Sequence, residues 1–307
     1  MLPTCMILAL LLFVSGCGEV SKPGEVKVEV TDNTSGGARD NTPTVREPVR
    51  GGEKVIGNDY FEIDATNQSD GYLYVTYSGD KSAVKLQLTA HENTTYTYNL
   101  DKGDTVIPIT EGSGEYKVVL YEGIGGNEFA AAFSDNVTLE VQDEFKPFLA
   151  PNTYVWFDKN TEAVDKASEL ASGCTCDLEV VAEVYRFVVG NITYDEYEAE
   201  NVASSYKPDV DEVLSTKKGI CFDYASLMAA MLRSQHIPTR LEIGYAGDNY
   251  HAWISTFVED RGWIDKVITF DGKNWTLMDP TFAANMSSGK FAKFIGDGEN
   301  YYVMYKY

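Results

Sequence analysis

An α+β chain with two folded parts is what this sequence predicts, and three observations carry that expectation. Runs of period two, broken by turn residues, fill residues 56–147. Helical spacing takes over from about residue 160, and a second set of alternating runs follows it to residue 278. Neither part reads as a disulfide scaffold: of five cysteines, only Cys174, Cys176 and Cys221 stand outside the first seventeen residues.

The N-terminal part is justified run by run. Tyr72, Tyr74 and Thr76 alternate with Leu73, Val75 and Tyr77, and the period returns in Val84, Leu86 and Leu88. Tyr116, Val118 and Leu120 repeat it, as do Val137, Leu139 and Val141. Ser78-Gly79-Asp80, Asp101-Lys102-Gly103 and Gly112-Ser113-Gly114 supply turns between them. About seven or eight short strands at this spacing predict an all-β sandwich of the immunoglobulin or fibronectin kind over 56–147. Its tyrosines are expected at ordinary strand positions rather than as a sugar-binding face, and His91, beside a turn, is expected at the surface.

Past the connector Pro147-Phe148-Leu149-Ala150-Pro151, Ala163, Ala167 and Leu170 fall on one helical stripe. Asp177 is placed to cap a second helix carrying Leu178, Val181, Tyr185, Val188 and Val189. Cys174 and Cys176 lie between the two, where a strained disulfide or half a metal site would be alternatives to an incidental loop pair. No partner cluster completes a metal site, so the loop pair is the expectation. Residues 221–232 are apolar nearly all round, the mark of a helix buried at a domain centre. Leu241, Ile243 and Tyr245 then alternate, Gly247-Asp248-Asn249 turns, and residues 251–258 form the next strand. Residues 263–270 and 275–278 read as a hairpin about Asp271-Gly272-Lys273-Asn274.

The N-terminal end carries a different signal. Residues 1–16 lack charged side chains and hold an apolar run too short to span a bilayer, as in a cleaved export signal. Val14-Ser15-Gly16-Cys17 resembles the lipobox of bacterial lipoproteins, which implies acylation of Cys17, a membrane-held protein facing outward, and a disordered tether over 17–55. The catalytic part is then expected over 148–307. With 47 acidic against 25 basic side chains, the net charge of -22 excludes nucleic acid as a natural partner.

Chemistry concentrates in the C-terminal part. Cys221 opens the buried helix, where it faces the positive end of the helix dipole. His251 follows at the start of a strand and Asp279 at the end of another, just before Pro280. Pairing of these two strands would set base and orienter side by side, facing a thiol nucleophile. Tyr194, Tyr250 and Trp253 are further cleft candidates, with Trp263 and Trp275 beside them, and core packing is an equal alternative for the three tryptophans. His236 falls where the helix ends and suits a positive φ rather than catalysis. No HExxH, Walker loop or paired CxxC occurs, so no cofactor is expected. Asp297-Gly298-Glu299-Asn300 is too short for a calcium loop and leaves calcium only a minor option.

Three blocks, Gly219-Ile220-Cys221-Phe222-Asp223-Tyr224-Ala225, Tyr250-His251-Ala252-Trp253 and Met278-Asp279-Pro280-Thr281-Phe282, resemble the motifs of the transglutaminase-like superfamily. Asn191-Ile192-Thr193-Tyr194-Asp195 is similar to a segment that recurs in bacterial modules of this kind. The resemblance covers roughly 160 to 290 and implies a papain-like core with a central helix against an antiparallel sheet. It also implies Cys221 as nucleophile, His251 as base and acid, and Asp279 as orienter. The expected activity is acyl transfer or hydrolysis at protein or peptide amides at the cell surface, through a thioester. A cysteine peptidase of the same fold is the nearest alternative. A non-catalytic binding or scaffold lipoprotein is the alternative from another class.

Overall fold

A computed structural model describes residues 39–259, 262–265, 268–270, 275–277 and 301–307. Its first half is all strand: β1 (Val55–Asn58), β2 (Phe61–Asp64), β3 (Tyr72–Tyr77), β4 (Val84–Thr89), β5 (Thr95–Asn99), β6 (Gly103–Pro108), β7 (Gly114–Gly125) and β8 (Glu128–Leu139). They form two four-stranded antiparallel sheets, ordered β1-β2-β3-β6 and β5-β4-β7-β8. The alternation is what builds them. In β4, Val84, Leu86 and Leu88 are buried while Lys85, Gln87 and Thr89 are not. Phe61, Ile63 and Leu73 of one sheet join Leu86, Tyr98 and Val118 of the other in a single buried cluster. A hydrogen bond from Tyr77 Oη to Glu122 Oε1 at 2.7 Å crosses between the sheets.

Among the described residues five α-helices follow: α1 (Glu162–Ala171), α2 (Asp177–Asn191), α3 (Glu196–Asn201), α4 (Val210–Thr216) and α5 (Cys221–Ser234). Every residue of α5 from Asp223 to Ser234 is buried, because α1, α2 and α4 pack on it and the hairpin of β11 (Thr239–Ala246) and β12 (Asn249–Val258) covers another face. Two short strands, β9 (Thr193–Tyr194) and β10 (Lys218–Gly219), pair in parallel ahead of α5. With β13 (Gly262–Ile264) and β16 (Tyr301–Lys306), the hairpin makes an antiparallel sheet ordered β13-β12-β11-β16. β14 (Ile268–Phe270) and β15 (Trp275–Leu277) pair, among the described residues, with each other.

The C-terminal end of α5 is closed by an ionised side chain. Arg233 is 1% exposed and donates from Nε to the Thr239 carbonyl, from Nη1 to that of Ala150 and from Nη2 to that of Tyr307, at 3.0, 2.8 and 2.7 Å. One guanidinium thereby joins the connector, the start of β11 and the last residue of the chain. Burial pulls its pKa down to about 9. Beyond it, His236 has φ 65°, the left-handed backbone expected at this helix end, and its side chain is exposed.

The structure departs from expectation at four places. The predicted tether reaches only partway. Arg39 Nε meets Asp177 Oδ1 at 2.8 Å, Asn41 Nδ2 the Cys174 carbonyl at 3.0 Å, and Thr44 N the Ser234 carbonyl at 2.8 Å, so residues from 39 onward strap the helical part. Residues 1–38, including Cys17, lie outside the described residues. Asp177 is the first residue of α2 rather than its cap; Cys176 holds the cap position. The run 263–270 is two strands, not one, since Trp263 is held on the Arg240 guanidinium, 3.5 Å from its ring centre, and fixes β13 to the β12 side. Finally, among the described residues β12 takes β11 and β13 as neighbours while β15 pairs with β14, so the expected pairing of β12 with the strand leading to Asp279 is not among the described pairings. Asp279 itself lies outside the described residues, as does 297–300.

Candidate functional site

The geometry around Cys221 starts with a glycine. A Cβ on Gly219 would stand 2.6 Å from Asp223 Cβ, so only glycine leaves room for that side chain to fold back over the helix start. Asp223 uses the room to accept a hydrogen bond from Ile220 N at 2.7 Å, which satisfies a donor that the helix itself leaves open. Its other oxygen accepts from Tyr206 Oη at 2.7 Å. Complete burial raises the Asp223 pKa to about 6, against the pull of these two hydrogen bonds. Cys221 follows the cap as the first helical residue, half-buried.

Register then brings up the neighbours. Gly219 pairs with Tyr194 across β10 and β9, and Asp195 N donates to the Gly219 carbonyl at 3.0 Å. The Asn191–Asp195 segment is thus bound to the strand that leads into Cys221. From the sheet, β12 brings His251, 5% exposed and paired in register with Gly244. Trp253 stands behind it with ring centres 6.2 Å apart. The indole Nε1 donates to Glu242 Oε2 at 2.8 Å, and Ser255 Oγ donates to the same oxygen at 2.7 Å. Burial raises the Glu242 pKa, and both hydrogen bonds oppose the rise.

Cys221 and His251 open into one cavity of about 580 Å³. Tyr194 and Tyr250 line it as expected. Trp253 does not, a correction to the sequence expectation: it is 1% exposed, and the buried Glu242 takes its N–H, so it packs beneath His251 instead of facing a ligand. Trp263 is engaged with Arg240, Phe145 and Phe257 away from the cavity, and the side chain of Trp275 is outside the described set. Among the described residues no three His, Cys, Asp or Glu side chains converge as a metal site. Cys174 and Cys176 are unpaired, with burial raising both thiol pKa values.

Sequence reasoning missed part of this cavity. Thr97 and Asn99, from β5 of the N-terminal part, line it together with Tyr206 and Tyr305. No local pattern marks Thr97 and Asn99; only the packing of β5 against the C-terminal part brings them there. Rings make that junction, with Tyr96 5.4 Å from Tyr305 and Tyr98 6.0 Å from Tyr154. Asp223 did have a signal, since an acid three residues past a helix cap is half of a capping box.

Residues 164–266 match the family model described as the transglutaminase-like superfamily, core region. The matched stretch contains Cys221 and His251. Bacillus subtilis YebA is 30% identical over 189 residues, which is 52% of this chain and 25% of YebA, so the match spans about a quarter of that relative. Among solved structures, a candidate cysteine protease from Cytophaga hutchinsonii is 16% identical, with a TM-score of 0.35, over 69% of this chain and 74% of that one. The periplasmic domain of TgpA from Pseudomonas aeruginosa is 15% identical, with a TM-score of 0.34, over 75% of this chain and 95% of that one.

Proposed function

We propose that this chain, carrying a transglutaminase-like segment, is a thiol enzyme that transfers or hydrolyses acyl groups of protein or peptide amides. The observation that carries the reading is the convergence, in one cavity, of Cys221 at the start of a buried helix and His251 at the start of a strand packed on that helix. In the first step His251 takes the Cys221 thiol proton as the sulfur attacks the carboxamide carbon, then delivers it to the nitrogen, which leaves as ammonia or amine when the C–N bond breaks. A thioester remains on the sulfur. In the second step His251 takes a proton from water or an incoming amine, the new bond forms at the same carbon, and the thiol is released. The backbone N–H of Cys221, at an open helix N-terminus, is placed to donate to the oxyanion. Asp279 is assigned as the orienter of His251 on the motif alone.

On this reading the N-terminal part is an immunoglobulin- or fibronectin-like sandwich, supported by the strand orders β1-β2-β3-β6 and β5-β4-β7-β8. Acylation at Cys17 and an outward-facing position at a membrane complete the proposal. No described helix is long and apolar enough to cross a bilayer. The test is to incubate the protein with a glutamine-containing polypeptide and a labelled primary amine, and to map the adducts by mass spectrometry. Label on glutamine means transfer, deamidated glutamine or new termini mean hydrolysis, and persistence of either product in Cys221→Ala would sink the assignment.

A further inference from the structure

Among the described residues, the cavity wall supplied by the N-terminal part is an unpaired sheet edge. In the order β5-β4-β7-β8, β5 is the outermost strand. Leu100 N donates to the Val84 carbonyl at 3.0 Å and Ala90 N to that of Thr94 at 2.9 Å, and the register between them pairs Leu86 with Tyr98 and Leu88 with Tyr96. Bonded and non-bonded pairs alternate in an antiparallel ladder. Tyr96 and Tyr98 therefore spend their main-chain groups on β4, while Thr95, Thr97 and Asn99 aim theirs at the outer edge. Among the described residues, no main-chain group beyond β4 bonds to Thr97. Thr97 and Asn99 are the two residues of this strand that line the cavity holding Cys221 and His251.

The edge is also held at a fixed place. Tyr96 and Tyr98 are buried against Tyr154, Tyr305 and Tyr307. On the opposite wall, the segment after α3 is latched to β5 by Asn99 Nδ2 donating to the Ser204 carbonyl at 2.9 Å and by Lys207 Nζ bridging to Asp101 at 2.6 Å. An exposed edge is normally blunted by a charge, a proline or a bulge. β5 carries none of these, and its sequence Thr-Tyr-Thr-Tyr-Asn is that of a strand ready to pair.

Resting on the reading of Cys221 as an acyl-accepting thiol, we infer that the β5 edge binds an extended segment of a polypeptide substrate as an added strand, so that the N-terminal part is half of the binding site. Main-chain pairing supplies affinity without reading sequence, and alternate side chains of the bound segment turn toward Cys221. The occupant is a polypeptide because evenly spaced N–H and C=O groups along an edge match another main chain and little else. An extended stretch is required, since a cavity of this size admits a strand and not a folded surface.

Binding is read in the Cys221→Ala background, which separates this inference from the catalytic one, because affinity does not depend on turnover. The probe is reduced, carboxamidomethylated lysozyme, an unfolded cationic chain suited to a protein of net charge -22, followed by fluorescence anisotropy. Thr97→Pro removes an edge donor that the ladder does not use, a substitution edge strands tolerate. It is expected to weaken binding about tenfold, the worth of one or two main-chain hydrogen bonds. Thr97→Val, which keeps the main chain, should stay within about threefold of its parent. Equal weakening by both variants, no weakening by Thr97→Pro, or no binding by the parent would each overturn the inference. So would an edge already occupied by a second copy, seen as a dimer in sedimentation that Thr97→Pro dissociates. Should Thr97→Pro misfold by circular dichroism, amide exchange decides: slowed exchange at Thr95 and Thr97 in the presence of the probe supports the edge, and unchanged exchange refutes it.

Discussion

The two ends of α5 are built from the same materials and used for opposite purposes. Each carries a fully buried ionisable group of the sign its helix end favours, Asp223 near the N-terminus and Arg233 near the C-terminus. Arg233 is ringed by three main-chain carbonyls from three separate segments and does not line the cavity that holds Cys221 and His251. Asp223 has two donors, one of them on Tyr206, a residue that lines the cavity. Closure at one end and access at the other is the division that, on the proposed function, lets a buried helix hold a reactive thiol. The end that carries Cys221 has fewer ties, and substitutions should separate the two ends cleanly.

The largest effect belongs to the open end. Cys221→Ala should lower turnover by at least about a thousandfold while leaving the fold intact, since the side chain is half-buried and loses a single sulfur atom. Steady-state rates with the labelled amine, beside a thermal melt, check both halves of that statement. Loss of the melt instead would mean that the thiol is a packing residue.

At the closed end the cost falls on stability. Arg233→Ala leaves the Thr239, Ala150 and Tyr307 carbonyls without their donor and opens a cavity, so a loss of about 3 to 5 kcal/mol is expected in urea unfolding. Turnover per folded molecule should change little, because nothing on Arg233 reaches the cavity. A large fall in kcat with unchanged stability would erase the contrast between the ends.

How much of this was legible in advance differs between the ends as well. Period two in residues such as Val84, Leu86 and Leu88 was enough for the strands, and the apolar run after Cys221 was enough for a buried α5. Those signals are local. The position of Thr97 depends on Tyr96 and Tyr98 meeting Tyr305 and Tyr307 from the far end of the chain, about which a window of ten residues is silent. Trp253 shows a related limit: period two gives its face, alongside His251, but not that Glu242 on the adjacent strand takes its N–H and decides for packing over the cleft. The tether over 39–54 read as unstructured because its ties are single polar contacts, such as Arg39 with Asp177, and not an apolar pattern. Alternation likewise ran 263–270 together, where the structure turns Trp263 onto Arg240.

A pH test sharpens the comparison further. Burial raises the Asp223 pKa to about 6 from an ordinary value of 3.8, so the folded state holds its proton more tightly than the unfolded state does. Its contribution to stability is therefore complete below about pH 4 and is lost as pH rises through about 6, by up to about 3 kcal/mol. Asp223→Asn should flatten that part of the stability curve, measured as urea midpoints between about pH 4 and 7. Arg233→Ala should leave the slope in place, since burial holds its pKa near 9, above this window. An unchanged slope in Asp223→Asn would assign the titration to another group.

The smallest effect isolates the Tyr206 contact. Tyr206→Phe keeps the ring that packs near Phe222, at 6.5 Å between centres, and removes only the hydrogen bond to Asp223 Oδ1. One hydrogen bond to a buried carboxyl is worth about 1 to 2 kcal/mol, and its loss should show mainly where Asp223 is ionised. The variant should therefore match its parent near pH 4 and fall behind it above about pH 6, a steeper decline than the parent's. It should also push the Asp223 titration upward, because a donor that favoured the charged form is gone. Carboxyl-region NMR of protein labelled at aspartate Cγ follows that shift directly. A shift downward would mean that Tyr206 accepts rather than donates in this pair, and the open end of α5 would then hold a protonated acid under working conditions.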